Sequence, residues 1–292
     1  MTAAIAGSPA REDFILTLSE AAEASVVQKP LSVLEQVYNS AVIRKTVLVL
    51  LLALIWEGYA RWLDNELMFP TLTATLAALW HGIVSGELLI RTWVSLSVLL
   101  TGYALGLALA FLLAVIAITS RLGNDLLETL TSMLNPLPAI ALLPLALLWF
   151  GLGSESLVFV LLHSVLWPVA LNAHSGFRAV SQTLRMVGRN YGLGGITLVA
   201  RILLPAAFPS ILAGLKIGWA FAWRTLIAAE LVFGVSSGSG GLGWYIFENK
   251  NQIQIPQVFA GLLMVILIGL AVENLIFRSV ERHTVQRWGM QH

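Results

Sequence analysis

The sequence predicts an all-α, polytopic membrane protein with six spanning helices, and three observations carry that prediction. Hydrophobic residues make up 58% of the chain's 292 and charged residues only 11%, less than half the ~25% of soluble domains. The apolar residues fall in continuous runs of about 20, the length that crosses a hydrocarbon core, and mean hydropathy is +0.82. The runs do not alternate polar with apolar, which argues against a transmembrane β-barrel. This composition excludes an ordinary soluble enzyme and a disordered chain. Cysteine is absent, so disulfides, thiolate catalysis and Cys-based metal centres are excluded, and a net charge of +1 suggests no nucleic-acid role.

The six spans are read at Thr46–Leu63, Thr92–Ser120, Leu126–Gly153, Leu157–Phe177, Ala206–Val235 and Gln257–Phe277. Met68–Ile90 is less apolar, holds His81 and Glu87, and is expected to form a short external helix. The first 40 residues carry Arg11 and Lys29 against Glu12, Asp13, Glu20, Glu23 and Glu35 and read as an acidic cytoplasmic extension, with Phe14–Ala24 as a short amphipathic helix. Met1–Gln28 lacks the basic segment and apolar stretch of a signal peptide. Residues 41–285 form the membrane domain and 286–292 a cytoplasmic tail.

Lys and Arg set the orientation. Of the 17, Arg61, Arg91 and Lys250 fall on one side, Lys216 and Arg224 lie within the fifth span, and all the others fall on the side of the termini. Both termini and the loop 178–205 are therefore expected in the cytoplasm. In that loop Ser181 is a candidate N-cap, Leu184 and Val187 follow at helical spacing, and Gly192, Gly194 and Gly195 break the helix. A second piece, Ile196–Leu204, is expected to stop at Pro205. The loop should thus be two short helices around a glycine bend, a knob that fits a cleft on a cytoplasmic partner.

Gly192, Ile202, Leu204 and Pro205 resemble the second half of the "EAA" loop of ABC importer permeases of the nitrate/sulfonate/bicarbonate (taurine-type) group, in which Gly is followed by nine residues, then Ile-x-Leu-Pro. Met186, Val187 and Gly188 stand where that pattern has Glu-Ala-Ala. Further segments are similar to the same group: Asn135-Pro-Leu-Pro138 with Ala141-Leu-Leu-Pro144 and Leu148-Trp-Phe-Gly151, Trp167-Pro168 with Asn172 and Gly176, Leu212-Ala-Gly-Leu-Lys216 with Trp223 and Ala229-Glu230, and Ser239-Gly-Gly-Leu-Gly243. The resemblance implies the transmembrane-domain fold of a type I ABC importer in a bacterial inner membrane. It implies two permease chains, a homodimer in this group, that form the pathway for a small, anionic solute. Two copies of a cytoplasmic ATPase bind ATP and Mg, and a periplasmic or lipid-anchored binding protein delivers the solute. It also assigns the ATPase-coupling loop to Arg185, Met186, Val187, Gly188, Arg189, Gly192, Ile202, Leu204 and Pro205, with Arg185 or Arg189 supplying a contact in place of the Glu. Pathway candidates are Pro138, Pro144, Trp167, Asn172, Trp223, Arg224 and Glu230.

The residues themselves fit that division of labour. There is no Gly-x-x-x-x-Gly-Lys-Ser/Thr loop, so this chain is expected to bind no cofactor and to hydrolyse nothing, and the energy must come from a partner or an ion gradient. No His pair has the i, i+4 spacing of a helical zinc site, so no metal site is expected. A secondary transporter or channel is the alternative, but spans one to three do not echo four to six. A membrane enzyme or scaffold would need a catalytic cluster at one depth, and none is visible.

Charges inside spans are costly and usually face protein or water. Lys216 can snorkel to the cytoplasm, and Glu273 can reach its interface. Arg224 lies eight residues beyond Lys216, ~12 Å along a helix. It either pairs with Glu57 or Glu230, or faces the pathway and attracts an anion. Pro136, Pro138 and Pro144 should kink the third span. Gly102, Gly106 and Ala110 form a small-xxx-small stripe for close helix packing. His163 and His174 either hydrogen-bond within the bundle, the favoured reading, or line a pathway.

Overall fold

The computed structural model describes residues 39–233 and 240–286. The predicted acidic extension, including Phe14–Ala24, lies outside them, as do Ser239 and the tail from Arg287. The described residues are helical and contain no strand. They form α1 (Ala41–Leu63), α2 (Leu72–Val84), α3 (Glu87–Thr119), α4 (Arg121–Leu134), α5 (Leu143–Phe150), α6 (Ser154–Ala179), α7 (Gln182–Asn190), α8 (Gly195–Ala206), α9 (Phe208–Phe233), α10 (Leu242–Asn251) and α11 (Ile255–Val285). Contacts divide the chain within α1, between Leu52 and Ala53. In the smaller unit α1 begins with the Arg44 N–H donating to the Ser40 carbonyl (3.1 Å). The larger unit is Ala53–His292.

Among the described residues, α3, α6, α9 and α11 are long and apolar enough to cross a membrane, and the α4–α5 pair makes a fifth if it is one broken span. The first expected span corresponds to α1, which is helical over 23 residues but falls outside that set. The external helix is shorter than read. Only Leu72–Val84 forms it, with Thr71 as N-cap accepting from the Ala74 N–H (3.1 Å). Glu87–Ile90 instead opens the long α3 after Gly86, whose φ of 81° ends the turn.

The stretch read as the third span is not one kinked helix but a sharply bent pair, either one broken span or a re-entrant loop. α4 and the segment Ala139–Phe150 meet at 85°. Pro136 and Pro138 lack the N–H groups that would continue the ladder, and Pro138 leaves the helical region with ψ 124°. Pro144 contributes no kink, because it sits in the first turn of α5, where a missing donor is harmless.

α6 is the centre of the bundle, between α3 and α9. A membrane supplies no hydrophobic force between helices, so close backbone approach and dispersion hold them. The small stripe of α3 does this. A Cβ on Gly102 would stand 2.6 Å from Leu161 Cβ, and one on Gly106 would stand 2.8 Å from Val165 Cβ. Ala110 is fully buried. On the other side Gly214 and Gly218 of α9 approach Asn172 and Val169 in the same way. Leu99, Val160, Leu161, Val165 and Leu226 make up the buried apolar centre.

Candidate functional site: a two-helix knob and a cavity between helices

The loop 178–205 folds as two helices. Ser181 caps α7, accepting from the Leu184 N–H (3.4 Å). Gly192 (φ 74°) and Gly195 (φ 51°) supply the left-handed backbone of the bend. Gly188 is buried where α7 meets α8; a Cβ there would lie 2.7 Å from Leu198 Cδ1 and 3.2 Å from Ile202 Cγ1. Pro205 does not stop α8. A π-helical stretch, Val199–Leu203, shifts the ladder so that Leu204 N–H donates to Val199, and Pro205 falls at the start of the next turn, where it is tolerated.

The knob is tied to the spans. Val199 and Leu203 of α8 pack with Ala114 of α3, Ala173 and Phe177 of α6, and Ile211 of α9. Arg185 turns inward: its Nε donates to the Val180 carbonyl (3.2 Å) and an Nη to the Phe177 carbonyl. It therefore satisfies the orphan carbonyls at the end of α6. Met186, Val187, Arg189, Tyr191, Gly192, Ile196, Leu204 and Pro205 remain exposed. They form an apolar surface with Arg189 beside it, on a helix anchored from beneath.

Within the membrane, a cavity of about 340 Å³ lies between the break after α4, α6 and α9. Its wall includes Pro138, His163, Ser164, Trp167, Arg224 and Thr225. Arg224 makes no ion pair among the described residues. Its Nε donates to the Ala220 carbonyl (3.0 Å), and its guanidinium lies 5.0 Å over the Phe221 ring. Both carboxylates offered as partners are engaged elsewhere. Glu57 binds Arg61 (2.7 Å) and accepts from Thr73. Glu230 is fully buried and holds Ser95 and the Gly243 N–H (2.9 Å). Ser164 and Thr225 hydroxyls face each other at 3.3 Å across α6 and α9.

Of the sequence-read pathway candidates, Pro138, Trp167 and Arg224 meet at this cavity. Pro144, Asn172, Trp223 and Glu230 do not line it. Asn172 donates to the Pro168 carbonyl (2.7 Å), and Trp223 is buried toward Gly269 of α11. Among the described residues, His163 and His174 do not make the expected hydrogen bonds, since no ring nitrogen of either has a partner in hydrogen-bond geometry. Ser164, Phe221 and Thr225 were not read from sequence. The available signal was spacing: His163, Ser164 and Trp167 share one face of α6 just before Pro168, and Phe221, Arg224 and Thr225 share one of α9.

Lys216 does more than snorkel. Its Nζ pairs with Glu281 (2.7 Å) and Glu273 (3.7 Å), tying α9 to α11. At the opposite end, Arg91 binds Glu248 (2.9 Å) and the Gly240 carbonyl (3.1 Å). Nearby, burial and the neighbouring Glu87 push the Tyr245 phenol up to about 12. No group of three His, Cys, Asp or Glu among the described residues could hold a metal.

Residues 102–287 match the family described as binding-protein-dependent transport system inner membrane component. The chain belongs to this family. It is a multi-pass permease component of an ABC importer, of the nitrate/sulfonate/taurine type. It is 31% identical over 243 residues to an ABC transporter permease protein of Methanocaldococcus jannaschii, covering 82% of this chain and 90% of that one. It is 32% identical over 217 residues to the aliphatic sulfonates transport permease SsuC of Escherichia coli K12, covering 74% and 81%. A nitrate import permease, NrtB of Synechocystis, is 27% identical over 247 residues, 82% of this chain and 88% of the relative. The knob and the cavity share two helices, α6 and α9.

Proposed function

We propose that this permease conducts a small anion, of the sulfonate, nitrate, bicarbonate or organic acid class, through a pathway that includes the 340 Å³ cavity. Arg224 carries the reading: it stands at the cavity wall with no carboxylate among the described residues to neutralise it. A fixed cation in a low-dielectric span favours a counter-ion at that depth. The relatives named for sulfonate and nitrate transport support the same class.

Two copies of the chain, a homodimer, enclose the pathway, with α1 as the sixth span and both termini in the cytoplasm of a bacterial inner membrane. Loop 178–205 docks into two copies of an ATPase subunit that holds ATP and Mg; this chain hydrolyses nothing and binds no cofactor. The exposed Met186, Val187 and Tyr191 fill the ATPase cleft, and ATP-driven closure moves α8 and, through Leu203 and Phe177, the spans. A periplasmic or lipid-anchored binding protein docks near α2 and α10.

The test is uptake of labelled taurine and nitrate by proteoliposomes holding the permease, its ATPase and its binding protein. ATP-dependent uptake that Arg224→Leu abolishes at unchanged protein level supports the reading. Equal loss of protein and uptake, or uptake without ATP, would sink it.

A further inference from the structure

Trp167 and His163 sit one turn apart on the cavity face of α6, their rings edge to face at 5.9 Å. Trp167 is 4% and His163 9% exposed. Trp167 Nε1, a donor and never an acceptor, has no hydrogen-bond partner, and neither has either nitrogen of His163. The Leu134 carbonyl at the helix break acts on the His163 ring without hydrogen-bond geometry. Buried donors are nearly always paired, because an unpaired one is destabilising. Here two stand side by side at one cavity wall, opposite the uncompensated Arg224.

Pro168 adds to the pattern. Lying inside α6, it has no N–H to offer the Ser164 carbonyl, so the backbone of this turn is less constrained than the turns around it. The wall is therefore rich in donors and contains no carboxylate.

We propose that Trp167 and His163 are specificity-determining donors for the solute, unpartnered in this conformation and engaged by the anion's oxygens when it occupies the cavity beside Arg224. The inference rests on the reading of that cavity as part of an anion pathway. The unpaired donors destabilise the empty state, and the anion relieves it. A purely structural Trp167 would instead be paired, or replaceable without effect on the solute.

The experiment uses the permease–ATPase complex in lipid nanodiscs without the binding protein, so that affinity is not set by that protein. Thermal unfolding is followed with taurine or nitrate added, against sodium chloride at equal ionic strength. A ligand that binds the folded state raises the midpoint by mass action. The wild type is expected to shift with at least one of the two anions. Trp167→Phe keeps an aromatic ring, removes the donor and loses part of the indole's volume. Its midpoint without anion is expected to fall only as that lost volume requires, while the anion-dependent shift weakens as for a roughly tenfold or greater loss of affinity. His163→Phe should act in the same direction. A full anion shift in Trp167→Phe, lost in Arg224→Leu, overturns this inference and leaves the pathway reading standing. A shift retained in Arg224→Leu, or absent from the wild type, overturns the anion reading and the inference with it.

Discussion

Ser95 and Glu230 are 135 positions apart in the chain, yet the Ser95 hydroxyl lies 2.9 and 2.8 Å from the two carboxylate oxygens of Glu230. The same hydroxyl accepts from the Leu242 N–H (2.9 Å), and Glu230 accepts from the Gly243 N–H (2.9 Å). The pair joins α3 to α9 and binds the first orphan N–H groups of α10. Glu230 is thus a fastening at the end of the bundle away from the knob, a role that its place in an apolar span did not suggest.

Removing Ser95 should therefore leave a buried carboxylate and a buried N–H short of partners. Ser95→Ala is expected to cost about 1–3 kcal/mol of stability, and Glu230→Ala more. Thermal unfolding in mild detergent measures the loss. Hydrogen exchange should rise first in Leu242–Asn251, and unchanged exchange there would refute the fastening.

Overpacking should be felt at the α3–α6 contact. Gly106→Leu must displace Val165, whose Cβ is 2.8 Å from the new Cβ position. A cost of about 1–3 kcal/mol is expected, seen as lower yield and midpoint. Gly58→Leu, with open space at its Cβ, is the control and should behave as wild type.

The knob should fail by uncoupling, not by unfolding. Gly188→Val pushes α7 off Leu198 and Ile202, and Gly192→Pro cannot adopt φ 74°. A charge at the exposed Leu204 spoils the docking surface. All three are expected to insert normally and to hydrolyse ATP in the assembled importer while uptake drops about tenfold or more, the scale of misplacing a mechanical part by ~1 Å. Normal ATP-dependent uptake by all three would remove this loop from the coupling path.

Arg185→Ala should act differently from Arg189→Ala. Arg185 holds the carbonyls of Phe177 and Val180, so its loss should loosen α7 in the isolated permease, read as faster hydrogen exchange over Gln182–Asn190. Arg189 is exposed, and its loss should leave that exchange unchanged and weaken only ATPase association in pull-down.

Much of the site's frame was legible in one dimension. Ser181, Gly192 and the Ile202-x-Leu204-Pro205 spacing placed the two-helix knob, because caps and positive-φ glycines act within a few residues. Gly102, Gly106 and Ala110 marked the face that meets α6 by helical period alone. Pro205 misled, since a π-helical turn upstream moved it to a harmless position. Pro136 and Pro138 announced a kink, but an 85° break depends on what the second half packs against.

The sequence by itself determined a multi-pass helical membrane protein, its knob and its family, because span length, glycine and proline placement and loop spacing are local properties of the chain. Only the tertiary structure decided which charges within the apolar helices are paired. Glu230 and Arg224 lie six residues apart on one helix, rotated by ~240°. One face meets Ser95 and the start of α10; the other meets the cavity. Pairing depends on which helix lies opposite each face, and that is settled by packing between segments more than a hundred residues apart.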